Sequence, residues 1–237
     1  MFTGIIEHSG TIESLDVRPD GGRVTIHAPT LAPNLPSGLA VSNSIAVNGC
    51  CLTIVSVDKS GSKSVKGGKF SADLSGETLR KTSFGAASAL KPGTRVNLEQ
   101  PLTAGKEFGG HFVLGHVDAV GQVAHVTREG DSWLYGVHVP EEIARYIVPQ
   151  GSITIDGISL TIARYHCFPR FTIEIAIIPY TYDHTNIRDR QPGDAVNLEA
   201  DILGKTIALH LDRHLATRPS AGFPSKFTVS QLTDQGF

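Results

Sequence analysis

Ser44-Ile-Ala-Val-Asn-Gly-Cys-Cys-Leu-Thr-Ile54 returns as Ser152-Ile-Thr-Ile-Asp-Gly-Ile-Ser-Leu-Thr-Ile162, an offset of 108 with six of eleven positions identical. Pro92-Gly-Thr-Arg-Val-Asn-Leu-Glu99 returns at an offset of 100 as Pro192-Gly-Asp-Ala-Val-Asn-Leu-Glu199, again with six identities. A fainter echo, sharing little beyond two glycines, relates residues 2–12 to 113–123 at an offset of 111. The order is kept and the offset shrinks along the chain, so the first half carries the longer loops. A period near 100 residues is too long for a solenoid unit and matches a whole small domain. The 237 residues read as a tandem duplication: domains over 1–103 and 104–202, a helix over 203–217 and a loosely held tail over 218–237.

The repeated motif is β-structure. Asn48-Gly49 and Asp156-Gly157, flanked by β-branched residues, are two-residue hairpin turns, since both turn positions need positive φ. Alternation and β-branched content predict strands over 22–28, 44–47, 51–58, 69–74 and 95–102 in the first half. In the second they predict strands over 121–126, 133–139, 152–155, 159–165, 171–178 and 195–202. Strands this short and evenly spaced suggest two small antiparallel barrels, an all-β fold. Residues 60–68 read as a loop, 140–148 as a short helix opened by Pro140 and two acids, and 102–108 as the join between the halves. Leu203, Ile207, Ala208, Leu211 and Leu215 form a stripe at helical spacing, to be buried on the barrels or on the same helix of other subunits.

Composition narrows the function classes. A net charge of −2 gives no electrostatic reason to expect nucleic acid or an anionic membrane, and there is no aromatic-plus-basic stripe. No apolar run approaches the roughly 20 residues that span a bilayer, and the N-terminus lacks the pattern of a secretory signal. Three cysteines, two of them adjacent, supply no disulfide framework and suit the reducing cytoplasm. Cys50 and Cys167 read as small buried apolar filler.

Two residues past each turn glycine stand Cys51 and Ser159, and two further on Thr53 and Thr161. Period-two alternation puts each pair on one face of its strand near the hairpin end, giving matched sites whose reactive groups differ. Gly109-Gly-His-Phe-Val-Leu-Gly-His-Val-Asp118 carries two histidines, of which His116 is the better proton shuttle. No spacing supplies a third zinc ligand, and His210 and His214 belong to a polar helix face, so no metal is expected.

Met1-Phe-Thr-Gly-Ile-Ile-Glu7, Ser44-Ile-Ala-Val-Asn-Gly-x-Cys-Leu-Thr53, Gly109-Gly-His-Phe-Val-x-Gly-His-Val-Asp118 and Asp156-Gly-x-Ser-Leu-Thr161 closely resemble riboflavin synthase of the alpha-chain type, with tandem lumazine-binding repeats. The resemblance runs from residue 1 to about residue 206. It implies two six-stranded Greek-key barrels and a C-terminal helix that assembles a homotrimer; some family members also associate with lumazine synthase. The implied reaction moves a four-carbon unit between two molecules of 6,7-dimethyl-8-ribityllumazine, giving riboflavin and 5-amino-6-ribitylamino-uracil, with no cofactor. Carried over by position, Gly4, Ile5, Ile6, Cys51, Leu52, Thr53, Asp73, Leu74, Ser75, Gly76, Glu77 and Thr78 bind one lumazine in the first barrel. Gly115, His116, Val117, Ser159, Leu160, Thr161, Ile178, Pro179, Tyr180, Thr181, Tyr182 and Asp183 bind the other in the second, and Phe2 shapes the junction. The chemistry falls to Ser44, Cys51, His116, Ser159, Thr161 and Asp201. Many members have Lys where this chain has Gln150, which donates a hydrogen bond but brings no charge. The alternative is a non-catalytic lumazine or flavin carrier of the antenna type, expected to lose the reactive residues that this chain keeps.

Overall fold

Asn48 and Gly49 take φ of 45° and 74°, and Asp156 and Gly157 take 46° and 82°. These left-handed pairs are the tight turns whose twist matches that of the flanking strands. They join β3 (Ser44–Val47) to β4 (Cys50–Asp58), and β9 (Ser152–Ile155) to β10 (Ile158–Thr161). The structure is a computed structural model that describes residues 1–31, 39–58, 68–86 and 90–217, with side chains to 214. The expected loop over 60–68, apart from residue 68, and the expected tail over 218–237 lie outside the described residues.

In the first half β1 (His8–Arg18), β2 (Gly21–Ala28), β5 (Gly68–Ser75) and β6 (Arg95–Glu99) complete a closed barrel in the order β1-β2-β5-β4-β3-β6. β1 is absent from the strands that alternation predicts. A bulge between Ile12 and Ser14 shifts its register, so inward positions fall out of step along the strand. In the second half β7 (Ala119–Glu129) carries the matching bulge, between Val123 and His125, 111 residues later.

The second half has seven strands rather than the expected six: β10-β9-β13-β7-β8-β12-β11, with β8 (Ser132–His138), β11 (Arg164–His166), β12 (Thr172–Ile177) and β13 (Ala195–Ala200). The single strand expected over 159–165 is broken at Ile162-Ala163 into β10 and β11. The chain itself runs across the break, and the Ala163 amide donates to Glu174 at 2.9 Å, so the two ends of the ladder are tied together. The break falls where β4 has its own irregularity, between Ile54 and Ser56, 108 residues earlier. Each half has its own apolar core, one around Val24, Ile54, Phe70 and Leu98, the other around Val123, Val137, Ile173 and Leu198.

The halves meet across a buried, hydrogen-bonded junction built from both repeated motifs. The Asn97 amide donates to Asn48 Oδ1 at 2.8 Å, and the Asn197 amide to Asp156 Oδ1 at 2.9 Å. Asn97 Nδ2 then crosses to the Asp156 carbonyl at 2.9 Å, while Asn197 Nδ2 crosses to the Asn48 carbonyl at 2.8 Å. Asn186 and Ser83 donate backbone amides to Asn97 Oδ1 and Asn197 Oδ1 at 2.8 and 2.7 Å. Hydrogen-bonded on this scale, with Asn48 Nδ2 and the Ser83 hydroxyl left without a partner, the buried amides set one relative placement of the halves. Symmetry fails at one charge, where the buried Asp156 carboxylate is paired with the buried Arg190 guanidinium.

Helices are few. α1 (Gly76–Lys81) follows β5 and α3 (Pro179–His184) follows β12; neither is predicted by periodicity, since six residues are too short to show it. The helix expected over 140–148 is α2 (Glu141–Ala144), beyond which Tyr146 and Ile147 bond three residues back and tighten the turn. Cys167 is exposed, against its reading as buried filler, because it lies between β11 and β12; Cys50 is buried as expected. Residues Met1–Ile202 form one compact unit, and the chain from Leu203 forms a second. α4 (Ile202–Thr217) exposes Leu203, Ile207 and Leu211 at 56%, 60% and 56%. Among the described residues no helix is long and apolar enough to cross a membrane.

Candidate functional site

Alternation on the two hairpins sorts core from site. Ile45, Val47, Cys50, Leu52 and Ile54 point into the first core, so Ser44, Ala46, Cys51 and Thr53 lie on the outer face. Ser44 is opposite Thr53, and Ala46 opposite Cys51. The second hairpin repeats this, with Ser152 opposite Thr161 and Thr154 opposite Ser159, over an inward row of Ile153, Ile155, Ile158 and Leu160. Cys51 and Ser159 are both half-buried, and Thr53 and Thr161 are both exposed. Burial pushes the Cys50 thiol up to about 12, which leaves Cys51 as the available sulfur of the adjacent pair.

The segments that precede β1 and β7 cross over. Phe2 and Val113 pair as an antiparallel bridge, the Phe2 amide donating to Val113 at 2.7 Å. The Cys51 amide donates to the Gly115 carbonyl and the Ser159 amide to the Gly4 carbonyl, both at 2.8 Å. Ile6 packs against the second core and Val117 joins the first. The expected grouping sets Gly4, Ile5 and Ile6 with Cys51, whereas here Gly4 bonds Ser159 and Ile6 packs on the second core. Each leading segment leaves its own barrel and lies on the outer face of the other half's hairpin. Phe2 is buried between the halves, packed with Ala46, Val113 and Cys51.

Two glutamates hold these segments. Glu99 accepts the Thr3 amide and hydroxyl at 2.7 and 2.8 Å, and the Gly4 amide at 3.0 Å. Glu199 accepts the Leu114, Gly115 and His116 amides at 2.7, 3.0 and 3.1 Å. Both end the repeated Val-Asn-Leu-Glu motif, and burial raises the Glu99 carboxyl above its usual range. An acid that closes both copies of Val-Asn-Leu-Glu, on the strand face opposite Val and Leu, is the sequence signal that could have found them.

The reactive faces differ. Ser159 Oγ is 2.7 Å from His111 Nδ1, and His111 Nε2 is 3.1 Å from Thr154 Oγ1. Burial lowers the His111 pKa, which the charge of Asp201 partly counters. His111 is thus the histidine built into the second face, whereas His116 is exposed and tied through its amide. The signal was alternation: His111 shares its buried parity with Val113 and Gly115, and His116 does not. Thr161 extends the Ser159 face outward, and Asp201 is half-buried just past β13.

The outer segments also diverge. α1 and α3 match at an offset of 103, and each ends on a threonine whose hydroxyl donates back four residues, Thr82 to Thr78 and Thr185 to Thr181. Around α1, Asp73 is held below the usual carboxylate range by a hydrogen bond from Arg23, Ser75 caps the Thr78 amide, Leu74 is in the core and Glu77 is exposed. Around α3, Ile178, Pro179, Tyr180 and Asp183 are exposed, Thr181 is half-buried, and Tyr182 stacks on Trp133 at 3.8 Å. One rim is polar and the other apolar and aromatic. Gln150 is exposed with φ of 62°, matching Ser42 at 74°, and both amides bond the strand at Ile162 and Ile54. A cavity of about 770 Å³ includes Ser44 beside Asn43, His8 and Lys106, and one of about 700 Å³ beside His138 and Arg170 includes none of the expected residues. Among the described residues no group of three His, Cys, Asp or Glu could hold a metal ion.

Known proteins resemble this chain along its length. The lumazine binding domain family matches twice, over residues 3–101 and 114–201. A riboflavin synthase of Mycobacterium bovis is 39% identical over 87% of this chain and 96% of its own. That of Actinobacillus pleuropneumoniae is 37% identical over the whole of both chains. The crystal structure of LumP complexed with riboflavin aligns at a TM-score of 0.71 with 25% identity, covering 84% of this chain and 99% of LumP.

Proposed function

We propose that this chain, which belongs to the lumazine-binding family of riboflavin synthases, converts two 6,7-dimethyl-8-ribityllumazine molecules into riboflavin and 5-amino-6-ribitylamino-uracil. One observation carries the reading. Cys51 and Ser159 occupy matched outward positions, each bonded through its amide to the carbonyl of a glycine from the other half's leading segment, yet one bears a thiol and the other a hydroxyl held by His111. Two identical substrates that must act as donor and acceptor need pockets alike in recognition and unlike in reactivity. Holding both in register makes the encounter effectively intramolecular, which is worth up to about 7–11 kcal/mol.

In the proposed sequence one lumazine loses a proton from its acidic 7-methyl group to a base on these faces. The other is activated by addition of a nucleophile, for which Cys51, Ser159 and water are the candidates, and the carbanion attacks it. Backbone donors and hydroxyls stabilise the delocalised anion. The pockets comprise Cys51, Thr53, Ser44, Gly115, His116 and residues 73–78 on one side, and Ser159, Thr161, Gly4, Ile5, Asp201 and residues 178–183 on the other.

Both faces lie open on the single chain, and a first-half face of one subunit meeting a second-half face of its neighbour closes them. The exposed row Leu203, Ile207 and Leu211 supports a homotrimer assembled through α4. Free thiols at Cys50, Cys51 and Cys167 support a cytoplasmic location.

The carrier reading is weaker, because Cys51, His116, Ser159 and Thr161 are all in place. Incubation with 6,7-dimethyl-8-ribityllumazine alone separates the two. Growth of riboflavin absorbance supports the synthase, and binding without conversion selects the carrier.

A further inference from the structure

We infer that Glu99 and Glu199 are crossed positioning residues: Glu199 sets the pocket of the first half's Cys51, and Glu99 sets the pocket of the second half's Ser159. This rests on the lumazine reading above and goes beyond it, since neither glutamate faces a pocket. Both are 2% exposed, and each carboxylate is occupied by backbone donors. Glu199 fixes three successive amides, and the middle one belongs to Gly115, whose carbonyl receives the Cys51 amide at 2.8 Å. Glu99 fixes Thr3 and Gly4, and the Gly4 carbonyl receives the Ser159 amide at 2.8 Å. Each chain of contacts runs from a carboxylate in one barrel, through a leading segment, to the reactive strand of the other.

A carboxylate suits this task because it only accepts. The amides and the hydroxyl named above all need an acceptor, and a glutamine would turn an NH₂ against at least one of them. Replacing the acid therefore releases the leading segment while the receiving strand keeps its own ladder. The effect belongs to the opposite half's pocket rather than to the half that carries the mutation.

Cysteine alkylation reads the two pockets separately. In a Cys167→Ser background the buried Cys50 thiol is unreactive, so iodoacetamide reports Cys51, and riboflavin in that pocket should protect it. A second background, Cys167→Ser with Cys51→Ser and Ser159→Cys, places the reporter on the other face. Glu199→Gln should raise the riboflavin concentration for half-protection of Cys51 about tenfold, with less than a twofold change at the Ser159→Cys reporter. Glu99→Gln should do the reverse.

A residue with only a structural role would weaken both protections together, and equal effects at the two reporters overturn the proposal. If a Gln variant fails to fold, Glu99→Asp and Glu199→Asp, which keep the charge but draw the carboxylate back by one methylene, must give the same crossed pattern. Absence of protection at both reporters before any glutamate is changed refutes the lumazine reading itself, and this inference falls with it. A crossed pattern combined with no riboflavin synthesis keeps this inference and refutes only the catalytic part.

Discussion

Gly115 and Cys51 are in van der Waals conflict with any larger residue: a Cβ built on Gly115 would stand 2.7 Å from the Cys51 Cβ. The same holds for Gly4, whose Cβ would stand 2.6 Å from that of Ser159. Both glycines also take φ near 78°, at 77° and 79°, where L side chains are strained. Gly4→Ala and Gly115→Ala should each lose about 1–3 kcal/mol from overpacking, plus the backbone strain. Urea unfolding checks the loss. Because the clash is with the reactive strands, riboflavin formation should fall further than the stability loss explains, and full specific activity would show that the strands tolerate a shift.

Cys51→Ala and Ser159→Ala, made separately, should both slow turnover while retaining part of the lumazine binding. A group that adds to a ring or moves a proton in the transition state contributes on the order of 10²–10⁴-fold. The expected loss in kcat is thus much larger than the change in KM. Steady-state rates from riboflavin absorbance decide this, and unchanged kcat in both variants removes them from the chemistry.

The duplication was legible from residues alone because Asn48-Gly49 and Asp156-Gly157 specify their turns locally. The outward parity of Cys51 and Ser159 followed from those turns. The crossing was not legible, since alternation tells which face a residue takes but not which barrel a leading segment leans on. Glu99 and Glu199 hold the segments that make the crossing, and their partners at Gly4 and Gly115 lie 95 and 84 residues away. β1 escaped for a local reason, the bulge at Ile12 and Ser14, and α1 and α3 because two turns carry no readable period. His111 and His116 are equal by residue type, and the buried parity that His111 shares with Val113 and Gly115 is what separates them.

Lowering the pH should destabilise the fold through His111. Its folded pKa lies below the usual 6.5 because burial disfavours the imidazolium. Unfolded chains therefore take up a proton below about pH 6.5 that the folded protein refuses until lower pH. Stability is complete above that range and is lost as the pH falls through it. His8 and His138 are shifted the same way, so the parent curve holds all three contributions. Melting temperatures of His111→Gln between pH 7.5 and 5.5 should fall less steeply than those of the parent, and parallel curves would assign the slope elsewhere.

If α4 assembles the proposed homotrimer, a charge in its exposed row should disperse it. Ile207→Glu places a carboxylate between Leu203 and Leu211, all three exposed on the single chain. Multi-angle light scattering should then report monomers of about 25 kDa where the parent gives three times that mass. Catalysis should fall with assembly, because in the proposed trimer each pair of pockets is closed by a neighbour. A monomeric variant that still makes riboflavin at the parent rate would mean that both substrates meet on one chain.

The buried pair Arg190 and Asp156 gives the sharpest separation of charge from shape. Their side chains are 6% and 2% exposed, so solvent does little to screen them. Removing Arg190 leaves an uncompensated carboxylate under the junction, a change that costs about 3–5 kcal/mol in comparable buried pairs. Arg190→Met should lower the urea midpoint accordingly. The first half shows how to relieve it, since Asn48 stands at the matching position and accepts the Asn97 amide as Asp156 accepts that of Asn197. Adding Asp156→Asn to Arg190→Met should therefore recover part of the loss. Recovery will be incomplete, because Asp156 Oδ2 also accepts Asn186 Nδ2 at 2.8 Å and an asparagine amide there meets a second donor. A double variant no more stable than Arg190→Met alone would assign the loss to the packing of Arg190 rather than to its charge.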